Sequence, residues 1–593
     1  MSNTLKVPLR WFALCGSLGA ALAITGCSDS GTGPPPVVPV VLSPTVVTLG
    51  VFNVSTATGG GGVQFTNPGR YAVMPQFAAT QDFATGTNRA TVPDYPFTIG
   101  GVASLTARVQ APAAERPFAN LRVADVFHMH MRQIEEAEAP RAAAFMQQLR
   151  ARPPVSLSVQ AQQQQAQQQQ AQQVVRDFKV LSSLTTSTYI TVRGRLLYSG
   201  TNILLYVDSL APTTGGFSDT EYQSFGRQFD QDLFPIDVNT FGATSDIDSN
   251  GKTFVLFTPV VNRLALGSGP CGSYVAGFFN GADLSGNSNA NRAEIFYSSV
   301  PGEAAGGPTC QPLSLTTVRN SAPATFIHEL QHMISFNQHV LVRNAGTEDI
   351  WLNEGLSHMA EELGGKLYES RYPCPNLPPC PPQGRGSPAQ IFPDSAQGFL
   401  PPNFANAYDF FSSRLSYSLT SPTSFGTIEE RGVAWLFLRW LIDQKGEPKL
   451  GQLVQTRNRG TGNIEAVAGE TFRVLFSDFL AATLLDDYPG ATPGQIASRY
   501  QYTSRNLRAI YARLNTIAPS VYPTAYPLDV ADLLTPNRLS PGTVSVSRQM
   551  KPGSLDLFQF TSATANTGLT FKPATGTFLA TLNPQVTVVR LPN

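Results

Sequence analysis

Two histidines and two glutamates stand at spacings that are typical of a catalytic metal site. His328 and His332 lie four residues apart in the segment HELQH, and Glu354 follows downstream in WLNEGLS. On a helix, positions i and i+4 share one face, so both imidazoles can reach one ion. Two His ligands and one carboxylate leave the fourth position of zinc open to water, as in catalytic sites. We therefore predict that His328, His332 and Glu354 bind Zn²⁺.

The glutamate inside the motif has a different predicted role. Glu329 points away from the face that carries the two histidines, yet it is close enough to take a proton from a metal-bound water. Zinc lowers the pKa of such a water to about 7, which makes it a nucleophile at neutral pH. We predict that Glu329 is the general base.

The alternative is a pair of ordinary core histidines. The chain has six His among 593 residues. A pair four residues apart is then expected by chance about 0.06 times, and about 0.003 times with Glu beside the first His. Chance is a poor explanation, so we favour the metal site.

The same residues carry a resemblance to a known family. HELQHMI followed by WLNEGLSHMAEEL resembles the gluzincin zinc metallopeptidases, and most closely the hyicolysin family of secreted bacterial metallopeptidases. The resemblance implies that His328, His332 and Glu354 are the zinc ligands and Glu329 the catalytic base. The spacing to Glu354 is slightly longer than in the thermolysin and aminopeptidase branches, so substrate-binding details of those branches are not transferred.

The elements that must position these residues are two helices. Apolar residues recur at three- and four-residue intervals around the HELQH segment and predict a helix with a buried face: Phe326, Ile327, Leu330, Met333 and Ile334. A second helix is predicted to begin near Trp351. The expected fold class is α+β. The family resemblance implies a zincin-like catalytic domain with a mixed β-sheet lobe and a helical lobe, flanked by small β-sandwich-like domains.

Other runs supply the remainder of that domain. VRGRLLYS and NILLYVDS predict strands, and AEIFYSS from Ala293 predicts a strand at the sheet edge where extended substrate would pair. GVAWLFLRWLIDQKG is predicted to be a helix with one apolar stripe at Trp435, Leu438 and Ile442, and TFRVLFSDFLAATLLDDY a similar helix.

A second metal is considered and not favoured. Asp246, Asp248, Asn250 and Gly251 resemble the start of a calcium-binding loop, but the twelfth position of that frame is Phe257, where a bidentate Glu would be needed. We favour a tight turn into a buried strand over a Ca²⁺ site.

The N-terminal segment predicts export. Lys6 and Arg10 precede a short apolar run that ends in ITGC, which resembles a bacterial lipobox and implies lipid attachment to Cys27. Ser28, rather than Asp, follows this cysteine, and the resemblance to sorted lipoproteins implies the outer membrane rather than the inner membrane. The alternative is a plain secretory signal. The expected location is extracytoplasmic, with the chain lipid-anchored to a membrane.

Charge and composition indicate which partners are expected and how the chain is divided into segments. The net charge is zero, and no basic excess favours a nucleic-acid partner. The predicted segments are a lipoprotein signal peptide (1–27), a Pro/Gly-rich tether (28–45), an N-terminal β domain (46–120), a helical and Gln-rich linker (121–175), a zinc metallopeptidase domain (176–519) and a C-terminal β domain (520–593). The residues before the Gln-rich run are either a linker or a propeptide, and the sequence does not decide.

Several further residues are assigned by position. The four cysteines after Cys27 can form two disulfides in three different ways. Our interpretation is that Cys374 pairs with Cys380 and Cys271 with Cys310. His128 and His130 are i,i+2 in a predicted helix and are expected at a surface or between domains rather than at a metal. The donor that stabilises the oxyanion has no motif, and the candidates by position are Tyr408, Tyr417, Arg431 and His358.

Two functions follow from these patterns. The first is an extracytoplasmic zinc endopeptidase that cleaves protein and peptide substrates, with Glu329 taking the proton of the attacking water and delivering it to the leaving amine. The second is a catalytically inactive surface or adhesion lipoprotein on a peptidase-like scaffold. An intact base beside intact ligands argues against the second.

Overall fold

The structure is a computed structural model, and it describes most of the chain after Val40. The described residues are 40–42, 49–53, 61–79, 95–101, 123–151, 174–183, 187–264, 274–305, 309–371, 398–420, 426–528, 538–539, 545–562, 567–574 and 576–592. Residues from Val37 onward form one compact unit. The predicted lipidation at Cys27, the tether, the Gln-rich run and Cys271, Cys374 and Cys380 lie outside the described residues.

The described residues form sixteen strands and twelve α-helices. The strands are β1 Val40–Leu42, β2 Leu49–Asn53, β3 Gly61–Phe65, β4 Gly69–Phe77, β5 Tyr95–Gly101, β6 Val175–Ser183, β7 Thr188–Ser199, β8 Ile203–Asp208, β9 Thr253–Phe257, β10 Gly277–Phe279, β11 Ile295–Ser298, β12 Arg538–Leu539, β13 Ser545–Met550, β14 Phe558–Ser562, β15 Thr567–Pro573 and β16 Pro584–Arg590. The α-helices are α1 Val123–Arg150, α2 Asp219–Gln228, α3 Phe234–Phe241, α4 Pro259–Asn262, α5 Leu315–Phe336, α6 Ile350–Arg371, α7 Pro401–Ser412, α8 Ile428–Lys445, α9 Lys449–Val454, α10 Gly460–Ala468, α11 Phe472–Leu485 and α12 Leu507–Ile517.

A mixed sheet of six strands forms one side of the central region, in the order β10-β11-β9-β8-β7-β6. β8, β9 and β11 are parallel neighbours, and the outer pairings are antiparallel. Every residue of β8 and β9 is buried, which explains why both read as continuous apolar runs. The fold is therefore mixed α and β, as the predicted class states.

The predicted edge strand is wrong in one respect. The AEIFYSS run forms β11, which has β9 on one side and β10 on the other, so the edge of the sheet is β10. β10 comprises only three residues, Gly277–Phe279, and a run this short carries no readable strand pattern.

Both helices of the motif are confirmed. α5 begins after Ser314, whose side chain accepts a hydrogen bond from the backbone N–H of Thr317 at 3.0 Å. It ends at Phe336, where the chain continues as π-helical turns over Asn337–Val342. α6 packs against α5 and begins at Ile350, within one residue of the predicted start.

α8 is the central helix of the helical layer. The sequence predicts one apolar stripe, but side chains are buried throughout Glu429 to Ile442 because α6, α7 and α11 all pack against this helix. Thr427 and Glu430 form a capping box at its start, and Gly446, at φ +92°, ends it. The predicted helix after Thr471 is α11.

The strands at the two ends of the chain pair with each other. One sheet has the order β1-β3-β15-β5-β13 and the other β12-β14-β4-β16-β2. Both sheets therefore contain strands from before residue 102 paired with strands from after residue 537. Phe65, Phe77, Phe97, Phe558 and Phe571 share one core between these sheets. We call this pair of sheets the terminal sandwich. The ranges 46–120 and 520–593 thus contribute to one structure, although the sequence predicts two small β domains.

Buried contacts join the terminal sandwich to the helical layer. Arg414, just after α7, pairs with Asp556 at 2.8 Å, and both side chains are buried. Ser477 of α11 and Thr587 of β16 share a hydrogen bond of 2.5 Å between their hydroxyls. Among the described residues, the structure has no helix that is long and apolar enough to cross a membrane.

α1 packs beside the six-stranded sheet. Phe127 and Met131 are buried in the cluster that covers one face of this sheet, and the ring of Phe127 meets that of Phe278 edge to face at 5.7 Å. These contacts fix the helix so that the side chains on its neighbouring face turn toward α5 and α6.

Candidate metal site

α5 and α6 bring the three predicted ligands together. His328 Nε2 and His332 Nε2 are 3.1 Å apart. His328 Nε2 lies 3.5 Å from Oε2 of Glu354, and His332 Nε2 lies 3.7 Å from Oε1 of the same carboxylate. Ligands about 2.0–2.1 Å from a tetrahedral zinc are separated from one another by about 3.3 Å. The separations of 3.1, 3.5 and 3.7 Å are close to this value, and one ligand atom from each residue lies within 4.8 Å of the others.

The chemistry of this donor set also fits a cation. His328, His332 and Glu354 are almost completely buried, and neither carboxylate oxygen of Glu354 accepts a hydrogen bond from a described residue. Burial works against ionisation of Glu354, but the positive charges of Arg431 and His332 outweigh it and hold its pKa well below the usual value. A buried carboxylate that stays ionised without hydrogen bonds is stabilised by a bound metal.

Partners on α6 orient the two imidazoles. His328 Nδ1 lies 2.8 Å from one oxygen of Glu361, whose other oxygen lies 2.9 Å from Nδ1 of His358. The hydroxyl of Ser357 lies 3.1 Å from Nδ1 and 3.2 Å from Nε2 of His332. When Nδ1–H of each ring donates to these oxygens, Nε2 keeps its lone pair for a metal. Burial tends to raise the pKa of Glu361, but the neighbouring imidazoles lower it to about 2.

Glu329 is held by the edge strand of the sheet. Its Oε2 accepts a hydrogen bond from the backbone N–H of Phe279 in β10 at 3.0 Å. Burial raises the pKa of Glu329, and the charges of His328 and Arg132 oppose that shift. The carboxylate therefore has a fixed position beside His328 and an increased affinity for a proton, as a general base requires.

α1 contributes two side chains that the sequence did not place here. His128 Nδ1 and Arg132 Nε lie 3.9 and 3.8 Å from the same oxygen of Glu354. The ring of His128 meets the ring of His328 edge to face at 6.1 Å. His128 thus lies between the predicted linker, which contains α1, and the predicted catalytic domain, because the buried Phe127 and Met131 turn this part of α1 toward the predicted metal ligands. His130, two positions on, is not part of this cluster.

The structure separates the oxyanion candidates. Arg431 Nε lies 3.6 Å from Glu354 Oε2 and donates to the carbonyl of Gly426 at 2.5 Å. His358 is bound to Glu361, so it positions a ligand rather than facing substrate. The hydroxyl of Tyr408 is bound to Thr524, away from the metal ligands, and Tyr417 packs against Phe410. Arg431 and His358 are the two of the four that lie close to predicted ligands, Arg431 beside Glu354 and His358 with its ring centroid 4.9 Å from that of His328.

Two signals in the sequence would have found more of this site. Ser357, His358 and Glu361 follow Glu354 by three, four and seven positions, which places them on the same face of α6. His128 and Arg132 are likewise one turn apart on α1. Neither pattern identifies its target, since the partners lie on other elements.

The cysteines are only partly within the described residues. Cys310 is disulfide-bonded, and its partner lies outside them. The pairings Cys271–Cys310 and Cys374–Cys380 stay predictions.

Part of the chain is similar to a known metalloprotease. Over 190 residues the chain is 26% identical to the neutral metalloprotease ShpI of Staphylococcus hyicus. The matched segment is 32% of this chain and 40% of the length of that relative, so the chain spans less than half of it. No family model matches the chain. The similarity supports a relationship to metallopeptidases and leaves membership of a particular family open.

Proposed function

We propose that this chain is an extracytoplasmic zinc-dependent endopeptidase of the gluzincin type, similar to the hyicolysin family, that hydrolyses peptide bonds in proteins. The observation that carries this proposal is the convergence of His328, His332 and Glu354 at the separations of tetrahedral zinc ligands. The similarity to a neutral metalloprotease supports it independently.

The chain's own residues divide the work of hydrolysis. Zinc, when bound, supplies a Lewis acid for the scissile carbonyl and lowers the pKa of water. Glu329, held by the N–H of Phe279, takes the proton of the attacking water and delivers it to the leaving amine. Glu361 and Ser357 keep the two imidazoles in the orientation that ligation needs. Arg431 is placed to stabilise negative charge near Glu354.

The edge strand suggests how substrate binds. β10 is at the end of the six-stranded sheet, and its Phe279 contacts the proposed base. An extended peptide that adds to this edge would run past Glu329 and the ligands. Recognition through backbone hydrogen bonds would make the enzyme an endopeptidase with specificity set by neighbouring side-chain pockets.

The proposed location depends on the N-terminal segment. The lipobox-like ITGC predicts lipid attachment at Cys27, which would hold the enzyme at the outer membrane or cell surface. The disulfide at Cys310 is consistent with an oxidising compartment. Labelling of the wild-type chain by a clickable fatty acid, lost in Cys27→Ser, is the expected result; unchanged labelling would refute the assignment.

Glu329→Gln tests the mechanism. The amide keeps the shape of the side chain and leaves the ligands intact, so metal content measured by mass spectrometry should be unchanged. A general base contributes about 10²–10⁴-fold, and kcat/KM for a quenched peptide should fall by that factor.

The controls separate loss of the base from other effects. Glu447→Gln removes an exposed carboxylate that pairs with Lys366 and should retain full activity. Each protein is assayed before and after limited proteolysis, so that an enzyme inhibited by its own propeptide is not mistaken for an inactive protein. Undiminished turnover in Glu329→Gln would reject the mechanism, and bound zinc without any cleavage by the wild type would favour the inactive scaffold.

A further inference from the structure

A second cluster of carboxylates lies at the end of the six-stranded sheet, remote in sequence from HELQH. Asp246 and Asp248 belong to the DIDSNG loop that precedes β9, and Glu294 precedes β11. One ligand atom from each of the three lies within 4.8 Å of the others. The loop has the spacing of a calcium frame, but its twelfth residue, Phe257, is a fully buried core side chain.

Sheet topology explains why Glu294 is there. β9 and β11 are parallel neighbours, with Phe254 opposite Ile295, and the backbone N–H of Phe254 donates to the carbonyl of Glu294 at 2.7 Å. The segments that lead into two adjacent parallel strands meet at the same end of the sheet. Glu294 thus supplies the carboxylate that the loop itself lacks.

Glu294 also has an oxygen that is buried and without a partner. The side chain is 1% exposed, and its Oε1 accepts from the hydroxyl of Ser245 at 2.6 Å and from the N–H of Ile247 at 3.0 Å. Its Oε2 accepts no hydrogen bond from any described residue. Leaving such an oxygen buried and unpaired is costly, and a cation bound by all three carboxylates would remove that cost.

The surrounding charges leave the cluster negative. The guanidinium of Arg176 is the cation that lowers the pKa of Asp248, and it stacks over the ring of Phe254 at 4.2 Å. The ammonium of Lys252 is instead engaged with the carbonyls of Gly200 and Thr201. Burial raises the pKa of Glu294 to about 7 and that of Asp248 to about 6.

We propose that Asp246, Asp248 and Glu294 form a Ca²⁺ site in which Glu294 replaces the twelfth residue of the loop frame. The donors are hard oxygens, which suit Ca²⁺ and not the imidazole-rich preference of zinc. The ion would cross-link the turn before β9 to the start of β11 and so stabilise the sheet on which Phe279 and Glu329 depend.

Titration of the full chain with Ca²⁺ tests this site. After dialysis against a calcium-selective chelator, calorimetry should show saturable binding with a Kd of about 10⁻⁶ to 10⁻³ M, together with a rise in Tm. Glu294→Gln should weaken binding at least about tenfold and abolish the rise in Tm. Glu303→Gln, which removes a carboxylate paired with Arg263 on the surface, is the matched control and should bind as the wild type does.

Two results would overturn the site. One is the absence of saturable Ca²⁺ binding by the wild type, and the other is equal affinity in Glu294→Gln. If Glu294→Gln does not fold, the exposed Asp246→Asn replaces it, with the same expectations. Titration with Mg²⁺ alone should give weaker binding, since Mg²⁺ demands a more regular octahedral shell.

An independent observation concerns α1. One ligand atom from each of His128, His328 and Glu329 lies within 4.8 Å of the others, so the imidazole of His128 lies beside both a predicted ligand and the proposed base. In the proposed mechanism, the attacking water and the scissile amide bind beside these same two residues. One turn along, Arg132 is bound to Glu135 at 2.9 Å while its Nε approaches Glu354 at 3.8 Å.

Packing against the sheet fixes α1 in its position beside the predicted metal ligands. Phe127 and Met131 are buried at 1% exposure against the sheet, next to Phe278 of the edge strand. A peptide that pairs with β10 and reaches the metal ligands would collide with His128 and Arg132. The helix therefore lies where the proposed function places substrate.

We infer that α1 is an inhibitory segment that closes the site, with His128 available as an additional metal ligand, and that it must be displaced before substrate binds. This inference rests on the proposed function. The alternative is that His128 and Arg132 assist catalysis, and the two have opposite consequences. Removing an inhibitory contact raises activity, whereas removing a catalytic one lowers it.

The test compares His128→Ala/Arg132→Ala with Arg141→Ala, which alters an exposed position on the same helix. All proteins are full-length and loaded with Co²⁺. The double variant should show a changed visible absorption spectrum, at least about tenfold tighter binding of a small hydroxamate and higher kcat/KM, whereas Arg141→Ala should match the wild type. A synthetic peptide of residues 123–150 should inhibit the double variant.

The outcomes distinguish this inference from the proposed function. An unchanged spectrum with unchanged hydroxamate affinity, or a fall in kcat/KM, overturns the inhibitory role. A changed spectrum and tighter hydroxamate binding without hydrolysis of any peptide would support the inhibitory role and refute the peptidase. Phe127→Ala, which loosens α1 through its packing, should act in the same direction as the double variant.

Discussion

Glu361→Gln is expected to weaken metal binding without touching a ligand. Each oxygen of Glu361 faces one imidazole Nδ1, at 2.8 Å from His328 and 2.9 Å from His358. Glutamine keeps one acceptor oxygen, but its amide NH₂ faces the second N–H, so one of the two hydrogen bonds is lost. A hydrogen bond to a charged group contributes about 1.5–3 kcal/mol. The affinity for zinc should therefore fall about 10–100-fold, the range observed for partners of metal-bound histidines.

The assay is competition for Zn²⁺ with a fluorescent chelator, followed by kcat/KM at saturating zinc. Activity should recover when enough zinc is supplied, because the catalytic base is intact. Glu447→Gln, whose carboxylate is 59% exposed, is the control for loss of a negative charge. Zinc affinity in Glu361→Gln within twofold of the wild type would refute the argument that this carboxylate orients His328.

Two further predictions concern stability. Burial raises the pKa of Glu348 to about 7 from its ordinary value of 4.5, so the native state holds this proton more tightly than the unfolded chain. This stabilisation is complete below about pH 4.5 and is lost as the pH rises through about 7. The free energy of unfolding, measured in urea, should therefore be about 2–3 kcal/mol lower at about pH 8 than at about pH 5 because of this group. The difference should be absent in Glu348→Gln. Gly432→Ala would place a Cβ 2.3 Å from the backbone nitrogen of Ala407 and should destabilise by about 1–3 kcal/mol, with a lower Tm. Gly462→Ala in α10 meets nothing within 4 Å and should stabilise by about 0.4–1 kcal/mol; equal effects of the two glycine substitutions would contradict the packing argument.

The helices of the site could be predicted because their signals are local. The i,i+4 histidines, the apolar residues around them and the start near Trp351 each depend on neighbours within a few positions, and α5 and α6 follow those patterns. Glu354 could be predicted as a third ligand because α6 folds back against α5 after a short connection. These predictions needed no knowledge of contacts that are distant in sequence.

The remaining parts depend on such distant contacts. His128 reaches Glu354 from a helix more than two hundred positions earlier, and the i,i+2 spacing of His128 and His130 gives no sign of it. Glu294 joins Asp246 because two parallel strands are neighbours, a relation that sheet order decides. β10 is too short to show a period, so the edge of the sheet was assigned to β11.

The terminal sandwich determines what severing the chain would do. β15 lies between β3 and β5, and β16 lies between β4 and β2. Each sheet is therefore formed by strands from opposite ends of the polypeptide. A nick between β5 and β6 would leave the amino-terminal piece held by its ladder hydrogen bonds rather than set it free. Recombinant versions shortened at either end would expose bare strand edges and should aggregate, so a minimal catalytic fragment must either retain both ends or lose both.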